Sequence, residues 1–153
     1  MRPALDPRLT LVAALVLGWS GIALAQAQER AVPAPQVISV RVMVVHASQE
    51  KGTIDPECRD LPRQLGPLKF GGLRLIQQRR LQLDIGQRGS VALPGGREVR
   101  MLPVSIVKRR LFMNLEVPGQ VNGQFRLRPG RPLVLGGQRH QGGHLIVYIE
   151  PDF

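Results

Sequence analysis

The segment "LFMNLEVPGQVNGQFRLR", residues 111–128, alternates between two sets of side chains on both sides of a Pro-Gly-Gln turn. Four apolar residues lie two positions apart in its first half: Leu111, Met113, Leu115 and Val117. In its second half one face holds Val121, Phe125 and Leu127, and the other holds Asn122, Gln124, Arg126 and Arg128. Because successive side chains of a strand point to opposite faces, the segment predicts an antiparallel hairpin with one apolar face and one basic, hydrated face.

The same two-residue rhythm continues on both sides of this hairpin. Strand-length runs recur about every ten residues with Gly or Pro turns between them, at 73–85, 90–94, 98–107, 133–137 and 145–150. In the first of these runs, Leu81, Leu83 and Ile85 are predicted to point inward. Pro103 predicts a bulge or an edge position, because proline cannot donate to a strand ladder. The pattern predicts an antiparallel β-sandwich or a partly closed barrel, with the basic residues 108–110 at a hairpin tip.

The chain between residues 36 and 65 adds a central strand and a short helix. Residues 36–47 are apolar on both faces, which is typical of a strand in the middle of a sheet. Asp55 and Pro56 form a helix start, while Pro62 predicts a kink or a shortened helix. The apolar face of this helix consists of Cys58, Leu61 and Leu65. The predicted class is therefore α+β, mostly β, with one short helix after the first strand.

The N-terminal residues have the build of a secretory signal peptide. Arg2 and Arg8 precede an apolar stretch, Leu9–Ala25, that ends in a small-x-small pattern. We predict a signal peptide at 1–25, with cleavage after Ala25 or, alternatively, after Ala27. An uncleaved membrane anchor is the other interpretation, but the stretch is short for a spanning helix, which needs about 20 mostly apolar residues. The product is predicted to be periplasmic or secreted, with no transmembrane segment after cleavage.

After the signal peptide, residues 26–35 are polar and contain proline, so they predict a flexible lead-in. Residues 36–153 are then enough for a single β-rich domain. Cys58 is the only cysteine of the chain, so no disulfide forms within it. A lone exported thiol is buried, pairs with another molecule or is reactive, and burial is the interpretation that we favour. The oligomeric state is left open.

A formal net charge of +10 is the main clue to a partner. Such a surplus attracts anionic molecules, which outside the cytoplasm include acidic proteins, lipid phosphates and acidic polysaccharides. Nucleic acid is not favoured, because single-strand binding usually needs aromatic platforms and the chain is poor in aromatic residues. The predicted binding residues lie on the basic hairpin: Lys108, Arg109, Arg110, Arg126 and Arg128.

Two of the three histidines, His140 and His144, stand four residues apart beside two glycine pairs. With His46 they form a candidate metal site, because imidazole is a common ligand of zinc. The glycines exclude a helix there and are sufficient to explain the spacing as a turn between two strands. We therefore favour a turn, and keep a metal-binding protein using His46, His140 and His144 as the alternative function. No cofactor is predicted.

Signatures of catalysis are absent from the sequence. No phosphate-binding loop joins a strand to a helix, and no serine stands in a nucleophile elbow. Paired carboxylates that meet only in space are not excluded, so a hydrolase of envelope polymers is a distant third hypothesis. The sequence favours a protein that is not an enzyme.

Several segments resemble small exported proteins of unassigned function from Gram-negative bacteria: "VHAS", "QLGPLKFGGLRLI", "LPGGREV", "LVLGG" and "GGHLIVYI". The resemblance covers most of residues 37–150 and consists of turn and core positions. It implies export and a compact domain, and no catalytic residue. The leading hypothesis is an exported, non-enzymatic module that binds an envelope protein or an anionic envelope component through a basic face.

Overall fold

The computed structural model describes residues 36–65 and 70–153, which form two four-stranded antiparallel sheets and a short helical segment. The strands and helices are β1 Ile38–Ser48, a 3₁₀ turn Pro56–Cys58, α1 Leu61–Gln64, β2 Gly72–Leu83, β3 Gly89–Leu93, β4 Arg97–Val107, β5 Arg110–Val117, β6 Val121–Leu127, β7 Leu133–His140 and β8 Gly143–Asp152. The predicted mostly-β class with one short helix after the first strand is confirmed. The sheets form a sandwich and not a closed barrel. The predicted signal peptide and lead-in lie outside the described residues.

The first sheet has the strand order β2-β1-β8-β7, and the second has the order β3-β4-β5-β6. The prediction of a central first strand is confirmed, because β1 pairs with β2 on one side and with β8 on the other. Its side chains are buried on both faces. Val40 and Val42 face the second sheet, whereas Met43 and Val45 face the helical segment.

The main core lies between the two sheets. The predicted inward set of β5 is confirmed, since Leu111, Met113, Leu115 and Val117 are all fully or almost fully buried there. Leu81 and Leu83 also contribute to this core. The inward prediction for Ile85 is wrong: its side chain is exposed, because β2 ends at Leu83 and the chain then turns, with the Gln87 amide donating to the Asp84 carbonyl at 3.0 Å.

The helical segment covers the outer face of the first sheet. Its predicted apolar side is confirmed, because Cys58, Leu61 and Leu65 are buried against β1, β2 and β8. The segment is split into two short pieces, and Pro62 stands in the first turn of α1, where its missing N–H costs nothing. Asp55 does not cap a helix with its side chain. Its carboxylate accepts a hydrogen bond from the Leu75 amide at 2.7 Å and so ties the segment to β2.

Irregular positions mark several strands. The predicted bulge at Pro103 is confirmed by a register shift between Pro103 and Ser105 in the β4–β5 pairing. Both edges of the first sheet also carry a shift: β2 where it pairs with Val44 and Val45, and β7 between Gly136 and Gln138. A ladder interrupted in this way presents fewer aligned amide and carbonyl groups at the sheet edge.

Burial sets the chemistry of Cys58, whose side chain is inaccessible to solvent. Loss of hydration, and then the nearby carboxylates of Asp55 and Glu57, raise the pKa of its thiol from 9.0 to about 11. The folded state therefore favours the neutral thiol. This stabilising contribution is complete below pH 9 and is lost as the pH rises towards 11.

We therefore expect Cys58 to react with a thiol reagent at pH 8 far more slowly in the folded protein than in denaturant. In the folded protein the thiol is not ionised at this pH, and the reagent cannot reach the buried sulfur. A colorimetric thiol assay with and without urea measures this difference. Equal rates in the two conditions would contradict the burial. Unfolding curves should also show a loss of stability between pH 9 and 11 that is smaller in a Cys58→Ala variant.

Candidate functional site: a basic end of the sandwich

Two turns place cationic side chains next to each other at one end of the second sheet. The β4–β5 tip carries Lys108 and Arg109, with Arg110 beginning β5. Pairing of Leu111 with Leu127 brings the start of β5 beside the end of β6, which is followed by Arg128. Five cationic residues line one shallow depression of about 330 Å³, together with Pro129. We call these five the basic end: Lys108, Arg109, Arg110, Arg128 and Arg131.

Local backbone geometry explains why these side chains converge. Lys108 and Arg109 have φ values of 49° and 57°, the left-handed conformation of a type I′ hairpin turn. In the second turn Gly130 has φ 67°, and the Arg131 amide donates to the Arg128 carbonyl at 3.1 Å. Both turns are tight, so the side chains that leave them project from neighbouring points at the same end of the sandwich.

The charges of the basic end are not neutralised by ion pairs. Throughout the ranges 36–65 and 70–153, ion pairs join Arg41 to Glu150 and Arg100 to Glu98 and Glu116, and none involves the basic end. Two carboxylates, Asp84 and Asp152, also lie towards this end of the sandwich, where β2 and β8 finish. Five cations therefore face the solvent with an excess of positive charge.

Four of the five predicted binding residues belong to the basic end, and the fifth lies beside it. Arg126 points from the outer face of β6, and its guanidinium carbon lies 5.6 Å above the centre of the Phe112 ring. Such stacking stabilises a cation while leaving its edge open to a ligand. Sequence reasoning missed Arg131, which stands just after a Pro-Gly turn. The only signal for it was its position opposite Arg128 across that turn.

The three histidines gather at the opposite end of the first sheet. His140 ends β7, and the tight turn predicted there is present, with Gln141 and Gly142 at φ 43° and 77°. Nε2 of His46 donates to the His140 carbonyl oxygen at 2.9 Å, and the two ring centres lie 6.1 Å apart. His144 follows the turn and pairs with Ala47 of β1, and its Nδ1 is buried without a hydrogen-bond partner.

The imidazole of His46 has a structural role here, because its hydrogen bond joins β1 to the end of β7, next to the β7–β8 turn. Among the residues that the structure describes, no three side chains of the His, Cys, Asp and Glu types are placed to hold one metal ion. The predicted metal ligands His46, His140 and His144 are thus neighbours, but His46 is already engaged in a structural hydrogen bond. The metal-binding alternative stays a prediction.

A third polar region lies between the helical segment and the first sheet. Arg41 donates from Nε to Glu150 at 3.0 Å and stacks 5.7 Å from the centre of the Tyr148 ring. Burial raises the pKa of Tyr148, with Glu150 adding to the effect. Because the guanidinium is satisfied by both neighbours, this region is better explained as support for the packing of β1 on β8. Sequence reasoning missed it, since 109 positions separate Arg41 from Glu150.

Comparisons of the chain with protein-family models, with curated proteins and with solved structures find no match. Within the described ranges, no helix has the length and the apolar character needed to cross a bilayer. The geometry of the surface is therefore the basis for a functional proposal.

Proposed function

We propose that the protein is an exported, non-enzymatic module that binds an anionic component of the cell envelope, or an acidic envelope protein, through the basic end. The observation that carries the proposal is the convergence of Lys108, Arg109, Arg110, Arg128 and Arg131 around one depression. The pattern of residues 1–25, typical of a signal peptide, supports the export.

Backbone strain at the tip supports a functional role for its cations. Type I′ turns favour Asn-Gly, because both central residues need a positive φ. Here Lys108 and Arg109 occupy those positions, at a cost of about 1–2 kcal/mol for each residue. Of the described residues, only one other that is not glycine has a positive φ, Gln141. Strained residues of this kind cluster at functional sites, which supports a role for this tip.

The shallow, open shape of the depression also supports an extended partner. The depression is shallow and open, and its lining consists of flexible cationic side chains and one proline. Small-molecule sites, in contrast, are enclosed and mostly apolar. A surface of this kind fits a repeating array of negative charges, where several weak contacts act together.

Reversal of three charges tests the proposal. In an Arg109→Glu, Arg110→Glu, Arg128→Glu variant, we expect retention on isolated envelope material at low salt to fall at least about 100-fold, since each basic contact contributes about 1 kcal/mol. Wild-type protein should also be released as the salt concentration rises, because the contacts are exposed. Co-sedimentation over a series of salt concentrations measures both effects.

The matched control reverses three exposed arginines elsewhere: Arg74, Arg79 and Arg80, all on the edge strand β2. It makes the same change in net charge and should retain most of the binding. If the control loses as much binding as the variant at the basic end, the attraction depends on total charge and the proposed site is wrong. Circular dichroism establishes that both variants are folded.

A further inference from the structure

Exposed apolar side chains border the basic end. Six large hydrophobic residues of the described ranges are exposed, and four of them belong to segments at this end of the sandwich: Val37, Ile85, Val104 and Val107. We call these four the apolar rim. Val107 is 51% exposed and directly precedes the cationic tip.

Strand pairing and hydrogen bonds place the rim at one end. Ile38 pairs with Leu83, so Val37 and the β2–β3 connection lie at the same end of the first sheet. The Gly86 amide donates to the Pro103 carbonyl at 2.8 Å, which brings that connection to the part of β4 that contains Val104. From there β4 continues to Val107, which pairs with Arg110.

The turn between Arg128 and Arg131 is also joined to this end of the first sheet. The Gly130 amide donates to the Pro151 carbonyl at 3.2 Å, near the end of β8. Residues Pro151 and Asp152 pair with Val40 and Ser39 at the start of β1, close to Val37 in the chain. Cations and exposed apolar groups therefore share one end of the protein.

This combination distinguishes between the possible anionic partners. An acidic polysaccharide offers charge but little apolar surface, so the apolar rim would stay in water. A bilayer offers phosphate groups at its surface and an apolar layer directly below them, and binding there scales with both buried apolar area and charge. We infer that the basic end and the apolar rim dock together on an anionic lipid bilayer, with lipid phosphates bound by the arginines and Val107 buried among the headgroups.

The inference rests on the proposed function and specifies its partner. Asp84 and Asp152 lie towards the same end, but the five cations outnumber these two carboxylates. Arg126 and Phe112, stacked on each other beside the basic end, extend the contact surface across the outer face of β5 and β6. Arginine side chains suit the interface between water and lipid, because their stems cover apolar surface while the charged group stays hydrated.

Vesicle co-sedimentation tests the inference. The exported chain, which begins at Gln26 after removal of the predicted signal peptide, should bind vesicles of phosphatidylethanolamine and phosphatidylglycerol and should not bind vesicles of phosphatidylcholine alone. An Arg109→Ala, Arg128→Ala variant should bind the anionic vesicles about 25-fold more weakly. The matched control, Arg79→Ala with Arg80→Ala, removes the same charge from β2 and should change binding by less than about threefold.

A fluorescence measurement tests the apolar contact separately. The one tryptophan of the sequence, Trp19, lies in the predicted signal peptide, so a Val107→Trp variant of the chain that begins at Gln26 contains a single reporter at the rim. Its emission should shift to the blue on anionic vesicles, because the indole leaves water. The same reporter at Ile76, an exposed position on β2 away from the basic end, should show no shift.

The possible outcomes separate this inference from the proposed function. If the protein binds soluble polyphosphate through Arg109 and Arg128 but binds no vesicles, the lipid surface is wrong and the anion-binding function stands. If it binds neither vesicles, polyphosphate nor envelope material, both are wrong. Equal losses in the Arg109/Arg128 and Arg79/Arg80 variants would overturn docking through this end. So would an unshifted emission of the Val107→Trp variant on vesicles that bind it.

Discussion

Replacing Met113 by alanine is expected to lower the free energy of unfolding by about 2–5 kcal/mol. Met113 is fully buried in the core between the sheets, where β5 pairs with β4 and β6. Shortening its side chain leaves a cavity that the strands cannot fill, since the hydrogen-bonded ladders on both sides fix their spacing. Because a single domain has about 5–15 kcal/mol of stability in total, the loss would be a large part of it.

Urea unfolding monitored by far-UV circular dichroism measures this loss. The matched control is Asn114→Ala, the next residue of β5, whose side chain is exposed on the opposite face and makes one weak contact to Gln124 at 3.3 Å. It should change the stability by less than about 0.5 kcal/mol. A Met113→Ala variant as stable as the Asn114→Ala variant would show that this face of β5 does not form the core.

The second large effect is expected at Gly143, the first residue of β8. A side chain added there would collide with the Ala47 carbonyl oxygen, and its Cβ would stand 2.7 Å from Nε2 of His46. The His46 ring could move by giving up its hydrogen bond to His140, but Ala47 belongs to the central strand β1 and cannot. We therefore expect Gly143→Ala to lower the free energy of unfolding by about 1–3 kcal/mol.

Gly123 provides the matched control, because it also lies in a strand and no heavy atom comes within 4 Å of the Cβ that alanine would add. Gly123→Ala should be neutral or should stabilise the protein by up to about 1 kcal/mol, as glycine is unfavourable inside a strand. Thermal unfolding of the two variants measures the difference. If Gly143→Ala is as stable as Gly123→Ala, the close approach of β8 to β1 is wrong.

The inward and outward faces of the strands could be predicted from the sequence, because they depend only on the order of neighbouring residues. Along β5 each inward position is apolar, so the two-residue period identifies the core directly. The continuous apolar run of β1 likewise identifies a strand covered on both sides. In both cases the signal comes from water being excluded from one or both faces of a pleated strand.

The pairing of strands that are distant in the sequence could not be predicted in this way. Nothing in the local pattern shows that the first strand pairs with the last, an arrangement that also brings Arg41 to Glu150. The error at Ile85 arose because the alternation continues for two residues after the β2 ladder has ended. Pro62 was expected to kink or shorten the helix, and the structure has two short pieces with Pro62 in the first turn of the second.

Prediction of the basic end also depended on whether a residue was placed by its local sequence or by long-range pairing. The cations at 108–110 were identifiable because a hairpin tip is a local feature, and Arg128 because it continues the alternation of β6. Arg131 joins them only through the turn that folds back onto Arg128. The apolar rim was not predicted, since its four members come from segments that meet only when the two sheets are assembled.

The interrupted edges of the first sheet have a consequence for the behaviour of the protein in concentrated solution. A second copy that tried to extend this sheet would meet a shifted ladder at β2 or at β7, and at β2 it would also bring Arg79 and Arg80 towards another polypeptide. Charges and bulges on outer strands are the features by which β-proteins prevent fibril growth. The edges of the first sheet are thus poor templates for amyloid-like stacking.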